Sequence, residues 1–347
     1  MRCVVSLSQE NALKKAQLLM QNTLYIPSTI KLPLPFGKST AGPCTDAKTI
    51  TLKFNNSQIK MQVSKQPQNR FVLQQQETGY TILEYDQPFL ENVKVIPNYY
   101  HAPNQVFLNI ADSCIHQCSF CSLAKKQPKN TLLKKQLFNI IDKNSNDESI
   151  HGFAFTGGVF PHQQDHIETL TQCISKVRKK NTDIPIGVEP TIQQEKEIKQ
   201  LYEAGATEIK INIQMPTKEL YTKVCPGLSY DKQFDFLQYA VDLFGKGKVT
   251  SNIIFGCGES DAEIISSIET LTESGVVPTL RLLRIHPRNK EYLSQQGIHT
   301  VNSTPERMYQ LAKQQKTILQ HHGLTTTTFH TMCHACGCCD LVPFKDF

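Results

Sequence analysis

Two short stretches of this 347-residue chain carry side chains suited to metal chemistry. In "SCIHQCSFCS" (113–122), Cys114, Cys118 and Cys121 are spaced C-x3-C-x2-C. In "MCHACGCCD" (332–340), Cys333, Cys336 and Cys339 are spaced C-x2-C-x2-C, with Cys338 and His334 as spare ligands. Thiolates at these spacings suit zinc or an iron–sulfur cluster. Zinc asks for a fourth ligand near the first triad, and His116 lies too close in sequence to ligate easily beside its neighbours. A [4Fe–4S] cube held by three cysteines instead leaves one iron open to a small molecule. Four cysteines within residues 333–339 are hard to explain as core packing. A second, auxiliary [4Fe–4S] cluster is the preferred reading there, with zinc as the alternative. Cys3, Cys44, Cys173 and Cys225 read as ordinary small thiols.

These residues need a scaffold, and the chain supplies a regular one. From residue 106 it alternates strand, loop and helix six times. The apolar strands are "VFLNIA" (106–111), "GFAFTG" (152–157), "IPIGVE" (184–189), "EIKINI" (208–213), "KVTSNIIFG" (248–256) and "TLRLLRI" (279–285). Amphipathic stretches such as "QDHIETLTQCISKVRKK" lie between them. This alternation predicts an α/β fold, a partial (βα)6 TIM-type barrel, with a doubly wound open sheet as the alternative. In either, function belongs at the C-terminal ends of the strands, which is where the first triad falls. Residues 1–100 have a different texture: a helix at 10–22, then short alternating segments at 49–54, 59–63, 71–76 and 80–85. The first two flank the hairpin-type turn "NNSQ". The expected organisation is therefore a small, mostly β N-terminal α+β extension (1–100), a core barrel (101–300), and a C-terminal helix at about 304–321 followed by the Cys-rich tail (301–347).

Lys and Arg outnumber Asp and Glu by 37 to 31, giving a net charge of +6 without long basic runs. The basic patches at 125–135 and 178–180 read as solvated helix faces. The first residues lack the apolar core of a signal peptide, and there is no run of about eighteen apolar residues. The expectation is a soluble, cytoplasmic protein with no membrane association. Twelve cysteines in such a chain point to metal chemistry rather than to disulfides.

The triad and the strand pattern together resemble the radical S-adenosylmethionine (radical SAM) superfamily over roughly residues 100–300. The resemblance implies that Cys114, Cys118 and Cys121 hold a [4Fe–4S] cluster whose open iron is chelated by S-adenosylmethionine. Reduction then releases a 5′-deoxyadenosyl radical that takes hydrogen from an unactivated C–H bond. It further implies that Phe120 packs near the adenine, and that the glycine pair Gly157–Gly158 approaches the methionine amino group. The family's usual glutamate after that pair is Val159 here. Glu189 and Asn212, at strand ends, match residues that bond the methionine or ribose groups. Ile254, Gly256 and Glu259 match the adenine-supporting I-x-G-x-x-E motif, with Cys257 in the same loop. Around "RLLRIHPRN" the resemblance places Arg284 and His286, with backbone contacts to adenine and an anionic-substrate contact for Arg284. The residue that would act as catalyst is left unassigned.

An auxiliary cluster in such an enzyme donates sulfur, ligates substrate or relays an electron. The "LYEAGATEIKINIQ" and "GCGESD" blocks look most like the biotin synthase and lipoyl synthase branch. The C-terminal cysteines look closer to archaeal two-component lipoyl synthases and related archaeal proteins. That resemblance implies sulfur insertion or cofactor biosynthesis on a small-molecule or lipoyl-type protein-bound substrate. It also implies a low-potential electron donor and a partner radical SAM subunit. The alternatives are radical methylation or methylthiolation, and a non-catalytic iron–sulfur or zinc protein. The intact first triad favours an enzyme. No basic–aromatic appendage follows residue 300, which tells against a nucleic-acid partner. Cys114, Gly157, Glu189, Asn212 and Gly256 are expected to converge at one barrel mouth, with the auxiliary site docked near it.

Overall fold

The computed structural model describes residues 6–38, 47–111, 113–121, 123, 134–287, 289–298 and 303–347. Helix α1 (Leu7–Gln21) begins where the Ser6 hydroxyl accepts the Gln9 N–H, and ends at Asn22 in the left-handed region. Seven strands follow: β1 (Thr23–Tyr25), β2 (Gly37–Lys38), β3 (Lys48–Phe54), β4 (Ser57–Ser64), β5 (Phe71–Gln75), β6 (Tyr80–Glu84) and β7 (Gln87–Val95). Four of them coincide with the alternating segments read from the sequence. The β3–β4 hairpin turns at Asn55, whose φ is 49°. The sheet runs β2-β3-β4-β1-β5-β6-β7, and β3 also pairs with β7, so it closes into a small barrel. Closure removes the unpaired edges that an open sheet of this size would expose.

The second sheet holds six parallel strands, β8 (Val106–Asn109), β9 (Phe153–Thr156), β10 (Ile186–Val188), β11 (Glu208–Lys210), β12 (Val249–Phe255) and β13 (Val277–Leu282), in simple sequence order. Helices α2 (Lys134–Asn144), α3 (Gln163–Arg178), α4 (Glu195–Glu203), α5 (Lys218–Val224), α6 (Tyr230–Phe244) and α7 (Asp261–Glu273) make the crossovers. Sequential order with right-handed crossovers curls the sheet into a partial TIM-type barrel, not a doubly wound sheet. Two-residue periodicity puts Lys210 and Asn212 on one inward face, as it does Asn252 and Ile254, and Arg281 and Leu283. Beyond β13 come α8 (Lys290–Gln295) and α9 (Pro305–His321), which starts with a Thr304 cap and Pro305 at its first turn.

The patch at 178–180 is not simply solvated. Arg178 donates from Nε to the Gly205 carbonyl (2.9 Å) and from Nη1 to that of Ile184 (2.7 Å), so it staples the loop ahead of β11 to the loop ahead of β10. The patch at 125–135 lies outside the described residues except for its last two, as do Cys3 and Cys44. Among the described residues no helix is long and apolar enough to cross a membrane.

The tail departs furthest from expectation. Its short helix α10 (Met332–Cys336) enters the large barrel from the N-terminal ends of the strands, opposite the mouth. Buried Glu208, at the start of β11, accepts the N–H groups of His330 (2.8 Å) and Thr331 (3.0 Å) and the Thr331 hydroxyl. Gln105, just before β8, exchanges two bonds with the Met332 backbone (2.8 and 3.0 Å). Gly187 leaves the room: a Cβ there would lie 2.1 Å from Thr331 Oγ1. The tail is the floor of the barrel, not a flap at its mouth.

One buried ion pair ties this floor to the N-terminal helix. Lys15 Nζ donates to Asp346 Oδ2 and to the Gly337 carbonyl, each at 2.7 Å, and both side chains are fully buried. Asp346 also accepts from Ser57 Oγ (2.8 Å) and the Val342 N–H (2.7 Å). Lys15→Met strands this carboxylate without its counter-ion. The expected loss is about 3–5 kcal/mol, the range for breaking one partner of a buried pair. A urea unfolding curve checks it, and an unmoved midpoint would contradict it.

Candidate active site

Between the mouth and the floor lies a cavity of about 320 Å³. Cys114, Cys118, Phe120 and Cys121 stand on its wall together with Gly157, Glu189, Asn212, Ile254 and Arg284, and so do Cys333 and Cys339. Gly158, Gly256 and Glu259 are not among its lining residues. The small barrel contributes as well, through Asn22, Thr49, Lys60, Met61 and Gln62. Lys60 Nζ donates to the His101 carbonyl ahead of β8, and Arg284 Nη1 donates to the Leu19 carbonyl beyond β13. These bonds, one at each edge of the six-stranded sheet, seat the small barrel across its open side.

The first cysteine loop is held from several directions. The Cys114 sulfur accepts the Val159 N–H (3.3 Å), and the Cys121 sulfur that of Leu123 (3.4 Å). The Ser119 N–H bonds the Val224 carbonyl (2.8 Å) at the end of α5. Buried Asn289 donates to the carbonyls of Phe120 (3.0 Å) and Arg284 (2.8 Å), clamping the loop to the segment after β13. Gly158 is required here by protein packing: a Cβ would lie 1.8 Å from the Ser113 carbonyl oxygen. Half-exposed sulfurs that face a cavity and take backbone N–H bonds fit thiolate ligands of an iron–sulfur cluster. Among the described residues no three His, Cys, Asp or Glu side chains close on a single-ion point. A cube makes no such demand, because each cysteine holds a different iron.

Above the floor the wall is polar. Glu189 accepts from Asn212 Nδ2 (2.8 Å) and Thr156 Oγ1 (3.0 Å), with Lys210 Nζ 3.7 Å away. Burial works to raise the Glu189 carboxyl, yet Lys210, Asn212, Arg281 and Thr156 together hold it below the usual carboxylate range. It is therefore an anion at neutral pH. Asn212 is itself fixed, its Oδ1 accepting the Asn252 N–H (3.0 Å). Glu259 is held within its own loop. Its side chain accepts the N–H groups of Gly256 (2.6 Å) and Cys257 (2.7 Å) and pairs with Arg307 (3.2 Å), so it shapes the loop after β12. Gly256, at φ 97°, turns that loop.

At the floor, Lys210 Nζ and Arg281 Nη2 each donate to Cys333 Sγ at 3.1 Å. Arg281 also bonds Asp340 Oδ2 at 2.8 Å. Cys336 and Cys338 are buried side by side, and the Cys338 thiol, donating to Cys336, pulls the latter down to about 6. Four cysteines with cationic donors on one sulfur fit a second cluster. His334 does not join them: its Nε2 lies 3.2 Å from the hydroxyls of both Thr250 and Thr279, and burial drives it down to about 3. It is a neutral core residue. Arg284 likewise serves the fold through the Leu19 carbonyl, one of the unpaired groups at the end of α1. The basic residues at the heart of the cavity are Lys210 and Arg281. Their inward register within apolar strands was the one sequence signal for them.

Residues 108–271 match the model of a family described as the Radical SAM superfamily. Among curated proteins, the chain is similar to lipoyl synthase of Buchnera aphidicola subsp. Schizaphis graminum, 25% identical over 53% of this chain and 58% of that protein. It is 24% identical to that of Buchnera aphidicola subsp. Baizongia pistaciae over 55% and 61%. The chain thus spans less than two thirds of the curated relatives it matches. Among solved structures, methylornithine synthase gives a TM-score of 0.52 at 16% identity, over 63% of this chain and 62% of that one. The FeFe-hydrogenase maturase HydG from Carboxydothermus hydrogenoformans gives 0.50 at 14%, over 63% and 52%. These structural likenesses concern the fold.

Gly158 offers a direct check on the first loop. Gly158→Ala drives a methyl into the Ser113 carbonyl, so the anaerobically reconstituted variant should lose the iron held at Cys114, Cys118 and Cys121. Iron per folded chain, with circular dichroism to verify the fold, measures this. Full iron content would mean the loop has slack that the packing denies.

Proposed function

From a chain that carries a radical SAM domain at residues 108–271, we propose an enzyme of sulfur insertion or cofactor biosynthesis with two iron–sulfur centres facing one substrate space. Cys114, Cys118 and Cys121 would hold the first [4Fe–4S] cluster, and Cys333, Cys336 and Cys339 an auxiliary one. The observation that carries the reading is that Cys114, Cys118 and Cys121 share the wall of a single cavity with Cys333 and Cys339. Bound there, the first cluster and S-adenosylmethionine supply a 5′-deoxyadenosyl radical able to take hydrogen from an unactivated C–H bond. The chain's own part is to bind, orient and keep dry. Glu189, an anion, with Asn212 and Thr156 beside it, offers acceptors suited to ammonium and hydroxyl groups. Gly157 leaves the neighbouring wall without a side chain, and Phe120 and Ile254 give flat apolar surface suited to an adenine ring. Met61, Phe107, Leu228 and Leu283 keep the rest of the cavity apolar, which suits an acyl chain and excludes water.

The similarity to proteins named lipoyl synthase supports an acyl substrate carried on a protein, as well as a low-potential electron donor. A small-molecule substrate and a second radical SAM subunit belong to the same proposal. The expected organisation of extension (1–100), core (101–300) and tail (301–347) is carried into it.

Two variants separate the two centres. With both triads intact, anaerobic reduction with S-adenosylmethionine should yield 5′-deoxyadenosine. Replacing Cys114, Cys118 and Cys121 with Ala should abolish it. Replacing Cys333, Cys336 and Cys339 with Ala should preserve 5′-deoxyadenosine, remove the tail's iron and eliminate the sulfur-containing product, as read by mass spectrometry. Unchanged iron in the second variant would sink the auxiliary cluster, and unchanged 5′-deoxyadenosine in the first would sink the assignment as a whole.

A further inference from the structure

The C-terminal cysteines are ringed by cations drawn from four separate parts of the chain. Lys210 of β11, only 1% exposed, and Arg281 of β13 both reach Cys333 Sγ at 3.1 Å. Lys60 of β4, 8% exposed, gives its backbone N–H to the Cys338 carbonyl at 3.0 Å. Lys345 folds back over Gly337 and donates to the Ala335 carbonyl. The acids facing this group offset only part of it. Asp340 pairs with Arg281 at 2.8 Å and Glu189 stands 3.7 Å from Lys210, while Asp346 is already matched by Lys15.

We infer that Lys60, Lys210, Arg281 and Lys345 are positioning and tuning residues that raise the reduction potential of a cluster at the C-terminal cysteines. The inference rests on the two-centre reading above. Its physical basis is general: reduction adds a negative charge, and cations hydrogen-bonded to ligand sulfurs or buried beside them stabilise the reduced form. Low dielectric magnifies the effect, since three of the four head groups lie within the protein or at a cavity wall rather than in bulk water. Lys210 has a second consequence. Lying between Glu189 and Cys333, one ammonium is shared by the co-substrate wall and the floor. A change of charge on either side is thereby felt by the other.

The test is a redox titration of anaerobically reconstituted full-length protein followed by electron paramagnetic resonance. The C333A/C336A/C339A variant identifies which signal belongs to which centre. The tail's midpoint in the parent is the reference. Lys210→Met should move that midpoint to more negative potential and leave the first centre's where it was, while Lys210→Arg should keep the parent value. Lys60→Met, on the small barrel and away from Cys333, should move it the same way by a smaller amount, and serves if the Lys210 variant does not fold. Iron counts are taken on each sample. Loss of all tail iron in the parent would overturn the two-centre reading itself. A filled tail whose midpoint ignores both substitutions would overturn this inference alone.

Discussion

The carboxylate of Glu208 lies at the start of β11 with no exposure to solvent, and a buried anion must be matched or the fold pays several kcal/mol. It is matched by the chain's own tail, through the backbone of His330 and Thr331 and the Thr331 hydroxyl, with Lys248 at 3.8 Å as the nearest cation. This one requirement decides the shape of the interior. It draws α10 up between the strands, where Gly187 has left a gap for Thr331 and Met332. A partial barrel of six strands would otherwise be open at both ends and along one side. Here the tail seals the base and the small β-barrel covers the side, so the space left is deep and has a defined bottom.

The inward face of the strands then reads as a gradient. Near the base, Thr250 and Thr279 receive His334. One step higher, Lys210 and Arg281 reach down to Cys333. Higher still, Asn212, Asn252 and Glu189 form a closed hydrogen-bonded set. Glu189, Asn212, Lys210 and the Arg281 Nη2 each find a partner here, whereas Asn252 Oδ1, Arg281 Nε, His334 Nδ1 and Asp340 Oδ1 are buried without one among the described residues. The bonds that are made give this part of the wall a defined shape.

Much of this scaffold was readable from the order of residues. The six apolar strands announce themselves because each is short, continuous and followed by an amphipathic helix, and the first triad falls on a strand end, where parallel sheets place chemistry. The closed small barrel was less legible. β1 is only three residues long, and β7 buries just Leu90 and Val93 fully among nine residues, so neither shows clean alternation. The position of the tail was not legible at all. It depends on Gly187 and Glu208, residues that look in sequence like an ordinary strand glycine and an ordinary surface acid. The particular partners of Glu259 and Arg284 were also not legible: the loop backbone after β12 engages Glu259, and the end of α1 engages Arg284 while it lines the cavity.

The route by which the floor is built also fixes an order of assembly. The first cysteine loop is organised by Val159, the Gly157–Gly158 turn, Val224 and Asn289, partners 45 to 169 positions away. The second cysteine set is organised by Lys15, Lys60, Lys210 and Arg281, partners separated from it by some fifty to more than three hundred positions. Contacts of such range are formed late, because the closure entropy of the intervening chain must be met first. The small barrel and the parallel strands therefore have to be in place before the tail has anything to dock on. A chain interrupted before that point would present a barrel without a base, its Glu208 carboxylate exposed to water. The docking of residues 333–339 is in this sense a report on the completion of the whole fold.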